Sequence, residues 1–206
     1  PKQLGIGVSS YFEMCGLAPS RVLASLRYAA GGWGAATVRV LATNKVQVVT
    51  GTSPHGQGHE TSWSQIAADV LGVTPDDVEV LHGDTGTVPF GRDTYGSRSL
   101  AVGGIAVHLA CEKVVDKAKK IAAHMLEAAE DDIEFEGGTF SVAGSPDQNV
   151  TIQNVAGAAY LGADIPEGTE PTLNEQMTFD PPNFTFPFGA HLCVMEVDTE
   201  TGKAWV

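Results

Sequence analysis

The sequence predicts an α+β fold in which mixed sheets pack against helices. Three observations predict it: pairs of short alternating apolar runs, a strand–helix–strand order between residues 46 and 82, and one long helical pattern at 99–129. The chain has 206 residues, 43% of them hydrophobic and 18% charged, which is enough to bury the core of one large domain or two small ones.

The first half of the chain alternates between strand-like and helix-like patterns. Apolar runs rich in β-branched and aromatic residues predict strands, and the segment after Gly58 has an apolar face with helical spacing that Gly72 is placed to end. The predicted elements are a buried strand at 5–15, a turn at 16–20, a hairpin of 36–41 with 46–50, a helix whose apolar face holds Trp63, Ile66, Ala67, Val70 and Leu71, and a strand at 78–82.

The second half begins with a long Gly-rich polar loop at 83–98, and loops of this length inside a compact domain are usually functional. The helical pattern after it starts with small apolar residues, which predicts a buried first half, and becomes amphipathic where lysines appear. The remaining predicted elements are a hairpin of 133–136 with 139–142, a short helix at 152–160, a Pro-rich crossing segment at 166–183, and a last strand at 189–197 that turns at 198–202.

The charge balance argues against two classes of partner. With 25 acidic and 12 basic side chains, the formal net charge is −13, which repels nucleic acids and anionic membrane surfaces. No apolar run approaches the roughly 18–20 residues of a membrane span. Cys15, Cys111 and Cys193 are scattered and favour buried thiols in a reducing compartment. We therefore expect a cytoplasmic protein with neither a nucleic-acid partner nor a membrane span.

The first candidate site is the run Gly56-Gln57-Gly58-His59 at the junction before the first long helix. Two glycines let a bulky ligand approach the backbone, the N–H groups of the helix start favour accepting oxygens, and the Gln57 amide can donate one directed hydrogen bond. This arrangement suits an oxyanion, a phosphate or a metal-oxo group. The alternative is an ordinary glycine turn before a helix, because short glycine motifs are weak evidence for a site.

The second candidate site is a hydroxyl-rich glycine loop at 94–99 that runs into the longest helix. Two serine hydroxyls, the N–H groups of the first turn and the Arg98 guanidinium would converge on one anion, such as a phosphate or a pyrophosphate. The alternative is that Ser97 or Ser99 caps the helix and Arg98 pairs with a carboxylate such as Asp93. The candidate residues are Thr94, Tyr95, Gly96, Ser97, Arg98 and Ser99.

These motifs have a familiar arrangement. Residues 51–73 (GTSPHGQGHETSWSQIAADVLGV) and 78–99 (VEVLHGDTGTVPFGRDTYGSRS) resemble the large subunit of the molybdenum hydroxylases, the xanthine oxidase superfamily, and especially of aerobic carbon monoxide dehydrogenases. Further matching stretches near both ends and in the middle extend the resemblance over nearly the whole chain. It implies that residues 1–206 are part of the molybdopterin cofactor-binding region of a larger subunit that continues beyond both ends.

The resemblance also implies a cofactor, molybdopterin cytosine dinucleotide with molybdenum. Gln57, flanked by Gly56 and Gly58, would lie beside the dithiolene and metal-oxo end, and residues 94–99 would cradle the metal-proximal side and the dinucleotide phosphates. The Gly-Ser-Arg-Ser form with Arg98 favours the carbon monoxide dehydrogenase branch. The intact enzyme would oxidise a small-molecule substrate with water-derived oxygen and pass electrons to flavin and iron–sulfur subunits.

The catalytic glutamate of the family and its substrate-determining loop belong to motifs that this sequence does not contain. We therefore assign no catalytic residue and no metal ligand, and we expect the isolated chain to be inactive. Two alternatives stay open. One is an aldehyde or N-heterocycle hydroxylase of the same superfamily, and the other is a non-catalytic module that binds another phosphorylated ligand or serves assembly.

Overall fold

The computed structural model describes residues 1–17, 19–88 and 90–206, and it confirms the α+β class. Ala18, in the predicted turn, and Pro89, in the predicted long loop, lie outside the described residues. The helices are α1 (Ser20–Ser25), α2 (His59–Leu71), α3 (Ile105–Met125) and α4 (Ile152–Leu161). The strands are β1 (Lys2–Phe12), β2 (Gly34–Val40), β3 (Val46–Thr50), β4 (Val78–Leu81), β5 (Ile133–Glu136), β6 (Thr139–Val142), β7 (Ser145–Thr151), β8 (Leu173–Phe179), β9 (Phe188–Asp198) and β10 (Ala204–Trp205).

The central sheet has the strand order β4–β3–β2–β8. Strands β2 and β3 form the predicted antiparallel hairpin, with Val38 opposite Val48. Strands β3 and β4 run parallel, and α2 makes the crossover between them, so the predicted β–α–β order is confirmed. The predicted cap at Gly72 is also confirmed, because this residue has the left-handed conformation (φ 67°) that ends α2.

Strand β8 corrects one prediction, because it lies inside the segment that we expected to be an irregular Pro-rich crossing. It pairs antiparallel with β2 along its whole length. Its alternation is hard to recognise in sequence because Glu175 occupies one of the less exposed positions. The Glu175 carboxylate lies 3.2 Å from the ammonium of Lys117 on α3, and both side chains are largely shielded from solvent. The ion pair thus makes an acidic residue tolerable on the inner side.

Helix α3 packs across β2 and β8, and α2 and α4 pack beside it. Small side chains on α3 allow this close approach, and they continue into the half of the helix that carries the lysines. Among the described residues, no helix combines the length and the apolar character needed to cross a membrane. The largest buried side chains of this core include Trp63, Leu71, Ile121, Phe140, Ile152 and Leu173.

A second sheet, with the order β1–β9–β10, contradicts the prediction of a buried first strand. Every residue of β1 is exposed, although β1 pairs with β9 over its entire length. Its composition is typical of a strand that is covered on one side, and the prediction of a buried strand was based on that composition. Cys193 on β9 is exposed as well, so the expectation of three buried thiols holds only for Cys15 and Cys111. The exposed apolar residues that share one face are Leu4, Ile6, Val8, Phe12, Phe188, Leu192 and Val194.

A third, small sheet contains the predicted hairpin of β5 and β6 together with β7, which the sequence reading missed. The run SPDQN at the start of β7 is exposed and has no apolar alternation, and only Val150 near its end is buried. The turn between β5 and β6 contacts the end of α2. A Cβ on Gly72 would lie 1.9 Å from the backbone nitrogen of Gly138, so these two backbones can touch only because glycine occupies both positions.

Cys111 is buried on α3, and burial raises the pKa of its thiol to about 12, with the neighbouring Glu112 charge adding to the effect. Because the thiolate is the reactive form, we expect iodoacetamide at about pH 8.5 to leave Cys111 unmodified in the folded protein. In guanidinium the same thiol should be alkylated, and mass spectrometry of the peptide that contains Cys111 distinguishes the two states. Rapid alkylation under native conditions would contradict this prediction.

Candidate functional site

A cleft of about 460 Å³ brings the two predicted motifs together. One side comes from the start of α2 and the other from the loop that leads into α3. Of the candidate residues, Gln57, His59, Thr94, Ser97 and Ser99 line the cleft, whereas Gly56, Gly58, Tyr95, Gly96 and Arg98 are not among its lining residues. The remaining lining residues are Ser62, Trp63 and Leu100.

The topology of the central sheet explains why these distant segments meet. Strands β3 and β4 are parallel neighbours, and each is followed by a loop that leads into a helix, α2 and α3 respectively. The carboxyl ends of parallel strands lie at the same edge of a sheet, and ligands of open α/β sheets commonly bind there. The two loops therefore face each other beyond that edge.

The two loops are locked together by contacts between their backbones. A Cβ on Gly51 would lie 2.1 Å from the carbonyl oxygen of Phe90, so only glycine permits this approach. The Asp93 N–H donates to the Gly51 carbonyl at 3.1 Å, and the Asp93 carboxylate accepts from the Ser53 N–H at 3.1 Å. The separation of the cleft walls is thus fixed by a close backbone contact, one main-chain hydrogen bond and one hydrogen bond to the Asp93 side chain.

The start of α2 is open toward a ligand. Gly56 and Gly58 have positive φ angles of 99° and 77°, and a Cβ on either would meet no described atom within 4 Å. The side-chain oxygen of Gln57 accepts a hydrogen bond from the His55 N–H. This bond fixes the orientation of the amide, and its NH₂ group is left as a donor.

His59 is 5% exposed and is one of the lining residues of the cleft. Its Nδ1 is 3.3 Å from the carbonyl oxygen of Thr52, which can only accept, so Nδ1 carries the proton. The ring centroid is 5.0 Å from that of Trp63. In the neutral imidazole, Nε2 then remains as an acceptor.

The helix that follows the second motif begins as a π-helical segment, Ser99–Gly104, and becomes α-helical at Ile105. The two glycines at its end allow tight packing onto the site. A Cβ on Gly103 would lie 2.6 Å from the Thr52 side chain, and a Cβ on Gly104 would lie 2.8 Å from the Trp63 ring. Short π-helical segments are frequent at functional sites.

Hydroxyl groups of the second motif bond to each other and to the opposite loop. The Thr94 hydroxyl donates to the Ser53 carbonyl at 2.7 Å, and it lies 2.8 Å from the Ser99 hydroxyl. Residues 94 and 99 therefore form one connected pair on the wall of the cleft.

Ser97 is held by a segment that the sequence did not associate with the site, residues 13–16, which follow β1. The Ser97 hydroxyl donates to the Glu13 carboxylate. The Cys15 thiol lies 2.7 Å from the Ser97 carbonyl oxygen, and the Gly16 N–H donates to the Gly96 carbonyl at 3.0 Å. No local pattern could have predicted these contacts, because the partners are at least 80 positions apart in the chain.

Arg98 is 1% exposed and is directed at main-chain carbonyls. Its terminal nitrogens donate to the carbonyl oxygens of Gly32 at 2.9 Å, Trp33 at 3.2 Å and Asp93 at 2.9 Å. Burial lowers the pKa of this guanidinium, although arginine stays charged in proteins. The partner at Asp93 is thus the carbonyl and not the carboxylate, and the Arg98 side chain braces the loops at 30–33 and 94–99.

Glu60, next to the first motif, is hydrogen-bonded to His82 outside the cleft lining. Its carboxylate lies 2.9 Å from Nε2 of His82. A hydrogen bond from its own backbone N–H and a second one from His82 lower the pKa of Glu60. A carboxyl group held in its ionised form is a poor proton donor. Among the described residues, no group of three or more His, Cys, Asp or Glu side chains is arranged to hold a metal ion.

Comparison with known proteins decides the family. The sequence profile of the molybdopterin cofactor-binding domain matches residues 1–206. The chain belongs to the molybdopterin cofactor-binding domain family. The resemblance seen in the glycine and serine motifs is therefore confirmed, and so is the fold that it implied.

The relatives of this molybdopterin-binding domain are molybdenum oxidoreductases. It is 41% identical to the carbon monoxide dehydrogenase large chain of Hydrogenophaga pseudoflava, across 100% of this chain and 25% of that protein. The carbon monoxide dehydrogenase structure from Oligotropha carboxidovorans is similar with a TM-score of 0.89, at 40% identity, over 98% of this chain and 25% of that one.

A third relative, the quinoline 2-oxidoreductase structure from Pseudomonas putida 86, has a TM-score of 0.84 at 39% identity and covers 98% of this chain and 26% of that one. The molybdopterin-binding domain thus spans about a quarter of the length of the relatives that it matches.

We expect Gly96→Ala to destabilise the molybdopterin-binding domain by about 1–3 kcal/mol. Gly96 has a φ of 56°, and a Cβ there would lie 2.1 Å from the Leu17 side chain. Urea unfolding of the purified protein measures the loss. Gly157→Ala in α4 is the matched control, because a Cβ there meets no described atom within 4 Å, and alanine should be neutral or stabilising by up to about 1 kcal/mol. Equal stability of the two variants would contradict the assigned role of Gly96.

Proposed function

We propose that the cleft between α2 and the 94–99 loop holds the metal end of a molybdopterin cytosine dinucleotide. We further propose that the full-length protein oxidises a small substrate, carbon monoxide in the first instance, with oxygen derived from water. The observation that carries the proposal is the convergence of Gln57, Ser97 and Ser99 on one cleft. Membership in the molybdopterin-binding family and the similarity to carbon monoxide dehydrogenase support it.

The residues present fit such a group. The volume of about 460 Å³ is within the range of small-molecule sites. The space beside Gly56 and Gly58 is open, so a bulky group can reach the backbone at the start of α2. The indole Nε1 of Trp63 is buried without a hydrogen-bond partner among the described residues, and Trp63 lines the cleft. Buried polar atoms without partners cost free energy, and a ligand acceptor would remove that cost.

The protein residues would bind and orient the cofactor. The Gln57 amide would donate a hydrogen bond to an acceptor atom of the cofactor, while Gly56, Gly58 and His59 would shape the surrounding backbone. Thr94, Ser97 and Ser99 form the opposite wall. Tyr95, Gly96 and Arg98 hold that wall in place. When bound, the cofactor supplies two-electron oxidation chemistry at molybdenum, and the protein tunes it through hydrogen bonds.

The proposed overall reaction combines carbon monoxide with water to give carbon dioxide, two protons and two electrons. We propose that flavin and iron–sulfur subunits accept the electrons. An N-heterocycle is the second candidate substrate, because the structure of quinoline 2-oxidoreductase is nearly as similar to this domain as that of carbon monoxide dehydrogenase.

The test uses the full-length protein in its native complex. Acid hydrolysis should release one cytidine monophosphate per molybdenum, and carbon monoxide should reduce an artificial dye in the absence of O₂, which leaves water as the oxygen source. Dye reduction with quinoline but not with carbon monoxide would favour the heterocycle reaction. Purified complex that contains neither molybdenum nor a nucleotide would overturn the proposal.

A further inference from the structure

We propose that a surface patch formed by Tyr28, Arg92 and Tyr95, with Leu26 and Arg27 beside it in the chain, docks a carboxylate-bearing segment of another protein chain. None of these five residues is among the described lining residues of the cleft. The inference concerns a partner protein, and it does not depend on the identity of the cofactor or of the substrate.

The charge of the chain is distributed unevenly. Residues 14–59 contain no acidic side chain, although the chain as a whole has a formal net charge of −13. Arg92 lies in a loop that contacts this acid-free stretch, so the patch is cationic on a strongly acidic protein. The basic residues of the stretch are Arg21, Arg27, Arg39 and Lys45.

Two carboxylates of the neighbouring segments are already bonded elsewhere. The Asp93 carboxylate accepts from the Ser53 N–H at 3.1 Å. The Asp180 carboxylate accepts from the N–H and the hydroxyl of Ser20, at 3.0 Å and 2.9 Å. Neither of these hydrogen bonds involves Arg92, so its charge is available to an acidic partner.

The Arg92 side chain lies between two exposed aromatic rings. Its guanidinium carbon is 5.8 Å from the ring centroid of Tyr28 and 6.0 Å from that of Tyr95, which are cation–π distances. Its Nη1 donates to the carbonyl oxygens of Ala30 at 3.1 Å and Gly31 at 2.8 Å. The position of the guanidinium is therefore fixed from more than one side.

One edge of the guanidinium remains for a ligand. Within the described parts of the chain, Nε and Nη2 of Arg92 make no hydrogen bond, because both recorded bonds come from Nη1. The N–H groups of Nε and Nη2 are parallel, and such a pair binds both oxygens of one carboxylate. The chemistry of this edge thus favours an aspartate or glutamate side chain.

The segment under the patch is rigid before any partner binds. Arg98 donates to the carbonyl oxygens of Gly32 and Trp33, so two arginines hold the four successive carbonyls of residues 30–33. The Trp33 ring also stacks on Phe90, with 3.7 Å between the ring centroids. Binding at a rigid surface orders few additional groups, which lowers the entropic cost of association.

The composition of the patch indicates a separable partner. Tyr28 is 56% exposed and Tyr95 is 38% exposed, and tyrosine and arginine are enriched among the residues that dominate protein–protein binding. Interfaces that are permanently covered are more apolar, as is the exposed face of the sheet formed by β1, β9 and β10. Because the rest of the chain repels polyanions, a short acidic protein segment fits the patch better than a nucleic acid does.

The first test measures association between the full-length protein and the protein chains that purify with it, by biolayer interferometry. Arg92→Glu reverses the charge of the patch, and we expect the Kd to rise by at least about tenfold. Tyr28→Ala removes one aromatic ring, and we expect a rise of about fivefold to tenfold. The Tyr28 variant keeps the test valid if Arg92→Glu fails to fold, because the Tyr28 side chain makes no hydrogen bond to any described residue.

Lys120→Glu is the matched control, since it makes the same change in net charge at an exposed position of α3. Its Kd should change by less than about twofold. An unchanged Kd in both patch variants would overturn the inference, and so would a full-length protein that purifies without any partner chain.

The second test identifies what covers the patch. Arg92→Lys introduces an amine, and a carbodiimide joins amines to carboxylates that are in direct contact. The natural sequence has no lysine between residues 46 and 112, so a cross-link in this region identifies position 92. We expect mass spectrometry of the treated complex to find position 92 joined to an aspartate or glutamate of another chain, with no such product from the unmodified protein. A cross-link to the same polypeptide, or none in an assembled complex, would overturn the inference.

Discussion

Replacing Gln57 with alanine in the full-length enzyme should lower the rate of substrate oxidation by about tenfold to a thousandfold, the range seen when one oriented donor near reacting atoms is removed. The Gln57 amide is oriented by the His55 N–H, so its NH₂ group is the donor toward the cleft. The opposite wall does not depend on this side chain, and molybdenum content should therefore fall by much less than the rate. The measurement is the steady-state rate alongside molybdenum per polypeptide.

Gln57→Glu is the matched control, because it keeps the oxygen that accepts from His55 and replaces the donor with a second acceptor. If donation is the function of Gln57, the Glu variant loses at least as much activity as the Ala variant at similar molybdenum content. Near-normal rates in either variant, at unchanged molybdenum content, would show that Gln57 does not lie at the reacting end.

The sequence predicted both motifs that line the cleft because each motif is local. The glycines at 56 and 58 and the hydroxyl-rich run at 94–99 are visible without a structure. Their convergence was implied by the family resemblance, and the parallel pairing of β3 and β4 accounts for it physically. The hairpins and α2 were also predictable, since each has a regular apolar period of its own.

The missed features depend on long-range contacts. Glu13 and Cys15 reach Ser97 only because β1 pairs with β9 and then passes the 94–99 loop. The prediction of a buried β1 was based on its composition. Composition shows which residues are usually buried, but it does not show which other residues would cover them. The partners of Arg98 lie at residues 32 and 33, in a glycine-rich stretch with no periodic pattern. From its charge alone, Arg98 was therefore predicted to bind an anion. In the folded chain its guanidinium instead donates to carbonyl oxygens.

Replacing Arg98 with alanine should destabilise the region around the site by about 3–5 kcal/mol. The change removes a side chain that is 1% exposed and leaves the carbonyls of Gly32, Trp33 and Asp93 without their donor. Buried carbonyls without partners are costly, and charge-assisted hydrogen bonds are the stronger ones. We expect faster hydrogen exchange at residues 30–34 and 93–99 and a lower melting temperature, with cofactor loss as a consequence.

Two further variants separate this bracing role from a direct contact with an anion. Arg98→Lys keeps the charge but cannot reach three carbonyls with one ammonium group, so it should lose more than half of the stability that Arg98→Ala loses. Arg21→Ala is the control for removing an arginine, since Arg21 is exposed and donates to the single carbonyl of Pro182 at 3.2 Å, and its effect should stay below about 0.5 kcal/mol. If Arg98 contacted a ligand phosphate, Arg98→Lys would retain cofactor, and Arg98→Ala would lose cofactor without faster exchange at 30–34. That pattern would overturn the bracing role, because a missing brace must loosen the loop at 30–34 whether or not a ligand is bound.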